Sequence, residues 1–143
     1  MTETESYMRK HNSGFTLIEV IVVVLIIGVL ASIAIPQYKR HVLKTNRMSE
    51  AVPELTSLSQ RLQRCYTAYG RFNDDSCAVY KELDLGGYVT PGKGYYEISI
   101  SNVSPTAYTL TATAILSQAE DTENGCNELK LNHLGQKEPM VCW

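Results

Sequence analysis

Enzyme machinery is what this sequence most plainly lacks. It contains no G-x-S-x-G turn, no H-E-x-x-H pair, no P-loop and no glycine-rich dinucleotide turn, so hydrolase, zinc-peptidase, nucleotidase and dinucleotide chemistry have no motif to stand on. Asp74 and Asp75 are adjacent acids in a polar stretch, where such side chains are normally solvated, and His133 falls at the end of an expected strand in LNHLG. No catalytic, cofactor or metal residue is therefore assigned, and the chain reads as a protein that is not an enzyme. Close cysteine spacing is missing as well. Cys65, Cys77, Cys126 and Cys142 form no C-x-x-C, and His11, His41 and His133 lie far from them in sequence, which disfavours zinc. The distal half also lacks clustered cations, with four Lys against ten acids between Phe72 and Trp143. Polyanion binding draws on grouped Lys and Arg, so general nucleic-acid binding by this half is disfavoured.

What the chain does have is one long hydrophobic run. Of the 21 positions from Phe15 to Ile35, all but Thr16, Glu19, Gly28 and Ser32 are apolar. As a helix this stretch reaches about 31 Å, which matches a hydrocarbon core of roughly 30 Å. It is long enough to cross a bilayer, yet it carries one acid near its start. An ionised carboxylate in lipid costs several kcal/mol unless paired, so Glu19 is a functional candidate.

Beyond the run, an even number of cysteines downstream of an export-type segment reads as two disulfides and an oxidising compartment. Four cysteines allow three pairings. The sequence-local one, Cys65 with Cys77 and Cys126 with Cys142, closes loops of 13 and 17 residues, each worth about 3 kcal/mol in the chain-entropy model. Through Pro36 the run continues into a segment where Met48, Val52, Leu55, Leu58, Leu62, Cys65 or Tyr66, and Tyr69 recur every three or four residues. That spacing predicts one long helix from about Phe15 to about Tyr69, bent at Pro36 and Pro53, with an apolar face along its second half. The stretch from Arg71 to Gly94 reads as a loop with a short helix near Tyr80–Leu83. GYYEISISN and AYTLTATAI alternate like half-buried strands around an NVSPT hairpin loop, and ELKLN predicts another. The fold class is α+β, a long kinked helix packed on a small antiparallel sheet of about three to four strands. Tyr95, Tyr96 and Tyr108 read as packing aromatics of those strands.

The stretch GFTLIEVIVVVLIIGVLASIAIPQY, Gly14 to Tyr38, resembles the N-terminus of type IV pilins and type II secretion pseudopilins: a hydrophilic leader ending in Gly, then Phe-Thr-Leu-Ile-Glu and an apolar run. GCNELKLNHLGQKEPMVCW, Gly125 to Trp143, resembles the closing strand and cysteine-bounded loop of type IVa pilins, most of all the PilE-like minor pilins. The resemblance implies residues 1–14 as leader, 15–36 as the transmembrane and assembly half of the helix, and 37–143 as a periplasmic head. It further implies a prepilin peptidase that cuts between Gly14 and Phe15 and methylates the new amino terminus. Gly14 suits such a site, since backbone without a side chain approaches a protease closely.

Cleavage would place the amine of Phe15 about 6 Å along the helix from Glu19. In the family this acid is held to meet the terminal amine of a neighbouring subunit. Two simpler partners are the positive end of its own helix and Phe15 of the same chain. Gly28 and Pro36 weaken helix by roughly 1 and 3 kcal/mol against Ala, and the family loses helical order in this interval when packed into filaments. Lys39, Arg40, Lys44 and Arg47 read as a solvated or lipid-headgroup collar. Because these four outnumber Arg9 and Lys10 on the other flank, the positive-inside rule alone leaves orientation undecided or reversed. A conventional secretory signal, with a small-x-small site at Ser32-Ile33-Ala34, competes, but the apolar run exceeds an h-region of about 7–15 residues. The resemblance implies a minor pilin in the inner membrane and then in an extracellular pilus, its partners being the peptidase, lipid, sister pilins and the inner-membrane assembly platform. Major pilin, pseudopilin and a DNA-uptake or adhesive tip pilin are the alternatives.

Overall fold

The computed structural model describes residues 14–143; the leader, with Arg9, Lys10 and His11, lies outside the described residues except for Gly14. The chain divides after Gln37 into two units.

In the first, the described residues are helical from Leu17 onward. Helix α1 spans Leu17–Asn46 and includes Pro36 without interruption. None of its residues is buried, and the large apolar side chains from Phe15 to Ile35 are exposed by between 49% (Val22) and 89% (Phe15). Propensity alone holds a helix only marginally, so fifteen such side chains need lipid or other helices around them. Their burial would supply on the order of 20 kcal/mol.

The second unit, Tyr38–Trp143, is the α+β head. After Asn46 the helix widens into a π turn, Arg47–Ala51, before α2, Val52–Tyr69. The wide turn is set by the bond from Val52 N–H to the carbonyl of Arg47. It falls just ahead of Pro53, whose ring in a regular helix crowds the carbonyl four residues back, that of Ser49. Gly70, in the left-handed region at φ 71°, ends α2, a conformation that glycine takes without a side-chain clash. Helix α3, Ala78–Asp84, follows.

Five strands then run in simple antiparallel order: β1 Tyr88–Val89, β2 Tyr96–Ser101, β3 Thr109–Ala114, β4 Glu128–Asn132 and β5 Lys137–Glu138. The three central strands and the hairpin between β2 and β3 lie where the alternation predicts them. The two-residue edge strands are too short to show alternation, which is why three to four were expected and five are found. Register places Ile98 opposite Ala112 and Ala112 opposite Leu129, with Ile100, Leu110 and Leu131 in the next row. Period two sends these side chains to one face, where Leu55, Leu58 and Leu62 of α2 cover them, all wholly buried.

The expected apolar face of the helix needs correction at both ends. Met48 is 43% exposed while Arg47 and Ala51 are buried, because the π turn shifts the helix phase. Tyr66 and Tyr69 are partly exposed, near the end of α2. Cys65 is bonded to Cys77 and Cys126 to Cys142. The first bridge ties α2 to the start of α3. Beside it the buried Phe72 stacks 4.7 Å from Tyr66 and edge-on at 4.7 Å to Tyr108.

Candidate functional site: the capped start of an apolar helix

Glu19 sits in the first turn of α1. Its carboxylate Oε2 accepts the backbone N–H of Thr16 at 2.7 Å and the Thr16 hydroxyl at 2.8 Å, while Thr16 Oγ1 accepts the N–H of Glu19 at 3.3 Å. This reciprocal arrangement is a capping box, in which two otherwise orphaned donors at a helix start are satisfied. The sequence signal was available as Thr16-x-x-Glu19, but sequence reasoning looked for a charge partner and missed the cap. The acid thus bonds at its own helix's positive end.

Gly14 and Phe15 precede α1 in non-helical backbone and are exposed; among the described residues no atom stands within 4 Å of where a Gly14 Cβ would lie. Gly28 and Pro36 are exposed within α1. The helix thus presents a capped start, exposed residues Gly14 and Phe15 before it and an apolar surface long enough to cross a membrane by length and composition.

Of the four basic residues expected in a solvated collar, Lys39, Arg40 and Lys44 are exposed and Arg47 is not. Lys39 Nζ lies 2.6 Å from Glu120, and its hydrogen bond and charge hold that exposed carboxyl below the usual range. Arg40 lies 3.6 Å from Glu123. Arg47 is only 6% exposed and pairs with the buried Asp121. Tertiary folding brings the acids of residues 120–123 against this helix, which local pattern does not reveal. Lys44 is exposed and has no ion pair among the described residues.

The other flagged groups are structural. Asp74 Oδ1 accepts the N–H of Ser76 at 2.8 Å, a local turn bond. His133 follows β4, with its ring 6.5 Å from Phe72 and 6.3 Å from Tyr108. Tyr96 and Tyr108 are core residues, and Tyr95 is partly buried against them. Among the described residues, no group of three or more His, Cys, Asp or Glu is arranged to hold a metal.

A head with an α2-covered antiparallel sheet follows, in sequence, an apolar helix with a capped start that is long enough to cross a membrane by length and composition. Comparison with known proteins makes this specific. Residues 9–35 match the family model described as the prokaryotic N-terminal methylation motif, and residues 36–130 match that of the type IV minor pilin ComP, DNA uptake sequence receptor. The type IV major fimbrial protein FimA of Dichelobacter nodosus is 32% identical over 120 residues, 83% of this chain and 66% of that protein. A fimbrial protein of Pseudomonas aeruginosa is 31% identical over 107 residues, 73% of this chain and 69% of its own length. The type IV major pilin protein PilA of Myxococcus xanthus is 38% identical over 69 residues, 48% of this chain and 31% of that one. The alignments thus span about two thirds of the length of the first two relatives. The chain belongs to the type IV pilin family. The named relatives include major fimbrial proteins, but the model covering most of the head is that of a minor pilin, which supports the minor class. Pilins are structural proteins.

Proposed function

We propose that this chain is a minor subunit of a type IV pilus, synthesised with the leader 1–14 and cut between Gly14 and Phe15 by a prepilin peptidase that methylates the Phe15 amine. Residues 15–36 hold it in the inner membrane, with residues 37–143 as its periplasmic head. The assembly platform then moves it into the filament beside sister pilins, and the filament carries it outside the cell. There Gly28 and Pro36, the weakest helix formers of the stem, are the points at which α1 gives way on packing.

The observation that carries the reading is the Glu19 cap. Before cleavage the carboxylate is occupied by Thr16. Cleavage creates a cation at Phe15, the residue next to that cap, so the acid gains a competing partner only in the processed chain. In an apolar filament core an unpaired carboxylate and an unpaired amine are both costly. Exchange of Thr16 for a neighbour's terminal amine therefore favours the packed subunit over one alone in lipid, whereas pairing with its own amine would not distinguish the two. Glu19→Gln keeps the shape and one acceptor but loses the charge. The variant is expected to be cut normally, by N-terminal sequencing, yet to fall at least tenfold in sheared filaments quantified by mass spectrometry. Equal incorporation would refute the charge-driven step. The same quantification distinguishes minor from major subunit by copy number, and dominance of this chain in the filament would overturn the minor assignment.

A second reading, a receptor for DNA taken up by the cell, is supported by the description of the matched head family. Although the region beyond Arg71 is acidic, no acid lies between Glu54 and Asp74, a stretch that holds Arg61, Arg64 and Arg71. Arg64 and Arg71 are exposed, while Arg61 faces Glu82 at 3.5 Å. Binding of the chain in micelles to short duplexes at two salt concentrations tests this. Phosphate contact requires affinity that weakens steeply with salt, and absence of binding at low salt rejects it.

A further inference from the structure

Beyond its role as a subunit, the head contains a buried polar node whose members come from opposite ends of its sequence. The Arg47 guanidinium pairs through Nη1 with Asp121 and donates from Nε to the backbone carbonyl of Cys142 at 2.9 Å. Gln118, wholly buried, donates from Nε2 to the carbonyl of Leu43 at 2.8 Å and to Asp121 at 3.2 Å, and accepts from Asn46 Nδ2 at 3.3 Å. Arg47 sits in the π turn, where a widened backbone replaces the regular ladder. Cys142 is held in place by its bond to Cys126 and by its N–H to the carbonyl of Pro139 at 3.0 Å.

We propose that Arg47 is a latch through which the Cys126–Cys142 bridge immobilises the helix segment from Leu43 to Ala51. This segment leads directly, within one helix, towards the apolar stretch. A buried guanidinium needs its donors occupied, and the planar fork of Arg meets two acceptors in different directions, a carboxylate and a carbonyl, which the single ammonium of Lys does not reproduce. Opening the bridge frees the Cys142 carbonyl, leaving the nearly buried Arg47 with one fixed acceptor fewer. The segment then relaxes. The other bridge, Cys65–Cys77, shares no hydrogen bond with this node among the described residues, so the two bridges have separable effects.

Hydrogen exchange of the full chain in detergent micelles, read by mass spectrometry, tests the latch. In Cys126→Ser/Cys142→Ser, amides of residues 43–55 are expected to exchange at least tenfold faster, while β2 and β3 stay protected. Arg47→Lys, with both bridges intact, is expected to do the same, and combining it with the serine pair to add nothing further. Cys65→Ser/Cys77→Ser is expected to loosen residues 43–55 no more than it loosens β2 and β3. Unchanged exchange in Arg47→Lys, or effects that multiply in the combination, would overturn the proposal. Should the serine pair lose sheet protection as well, Arg47→Lys decides by itself: loosening confined to residues 43–55 supports the latch, and any other pattern rejects it.

Discussion

Raising the pH should unfold the head through one residue in particular, Tyr96. Its side chain is wholly buried, and among the described residues no group, Gln118 included, meets its hydroxyl with full hydrogen-bond geometry. Burial pushes the phenol up to about 12, against an ordinary value of 10; Gln118 and Arg47 oppose the shift, and Asp121 and Glu50 add to it. The sign follows from linkage. A group whose proton is held more tightly when folded contributes its full stability below the unfolded value, pH 10, and loses it as pH climbs towards 12, because the unfolded chain ionises first. At pH 11 the difference amounts to about 1.4 kcal/mol, a tenfold change in the folded-to-unfolded ratio.

Tyr96→Phe removes the ionising group. At neutral pH it should be neutral or stabilising by up to about 1 kcal/mol, since the lost hydroxyl left no partner behind. Between pH 9 and pH 11 the variant should lose about 1 kcal/mol less than the parent. Urea midpoints are followed through the fluorescence of Trp143, the single tryptophan, with the slope of the transition confirming an unchanged fold. Tyr88 supplies a comparison. It is also pushed up to about 12 by burial and by donating to Glu54 at 2.6 Å, but it is partly exposed, so screening reduces its share. If Tyr96→Phe and the parent lose stability in parallel between pH 9 and pH 11, the burial argument is refuted.

Breaking the Arg47–Asp121 pair from one side, with Arg47→Met, is expected to cost about 3–5 kcal/mol by urea unfolding because Asp121 remains buried; adding Asp121→Leu should restore most of it. Leu58→Ala, at the wholly buried centre of the α2 face, should cost about 2–5 kcal/mol without altering the sheet's circular dichroism signature. Removing the Cys65–Cys77 bridge, which spans 12 positions, should cost about 3 kcal/mol, measurable as a lower urea midpoint. A loss below about 1 kcal/mol in any of these would contradict the corresponding packing account.

Local chemistry made much of this protein legible without coordinates. Twenty-one positions with four exceptions specify a helix whose apolar surface is not covered by the described residues, because hydrophobic length is a property of the chain itself. Leu55, Leu58 and Leu62 announce a buried helix face by their spacing, and Tyr96, Ile98 and Ile100 announce a strand by theirs. Glu19 was conspicuous for the same reason, a charge where its neighbours forbid one. What tertiary structure decided was every contact between segments distant in sequence. Arg47 looked like one of four solvated cations until residues 118–121 folded against it, because burial depends on what arrives from elsewhere in the chain. The choice among three disulfide pairings, the two short edge strands and the phase change at the π turn were settled in the same way. Periodicity describes how a segment presents its faces; only packing determines which face is covered and which charge loses its water.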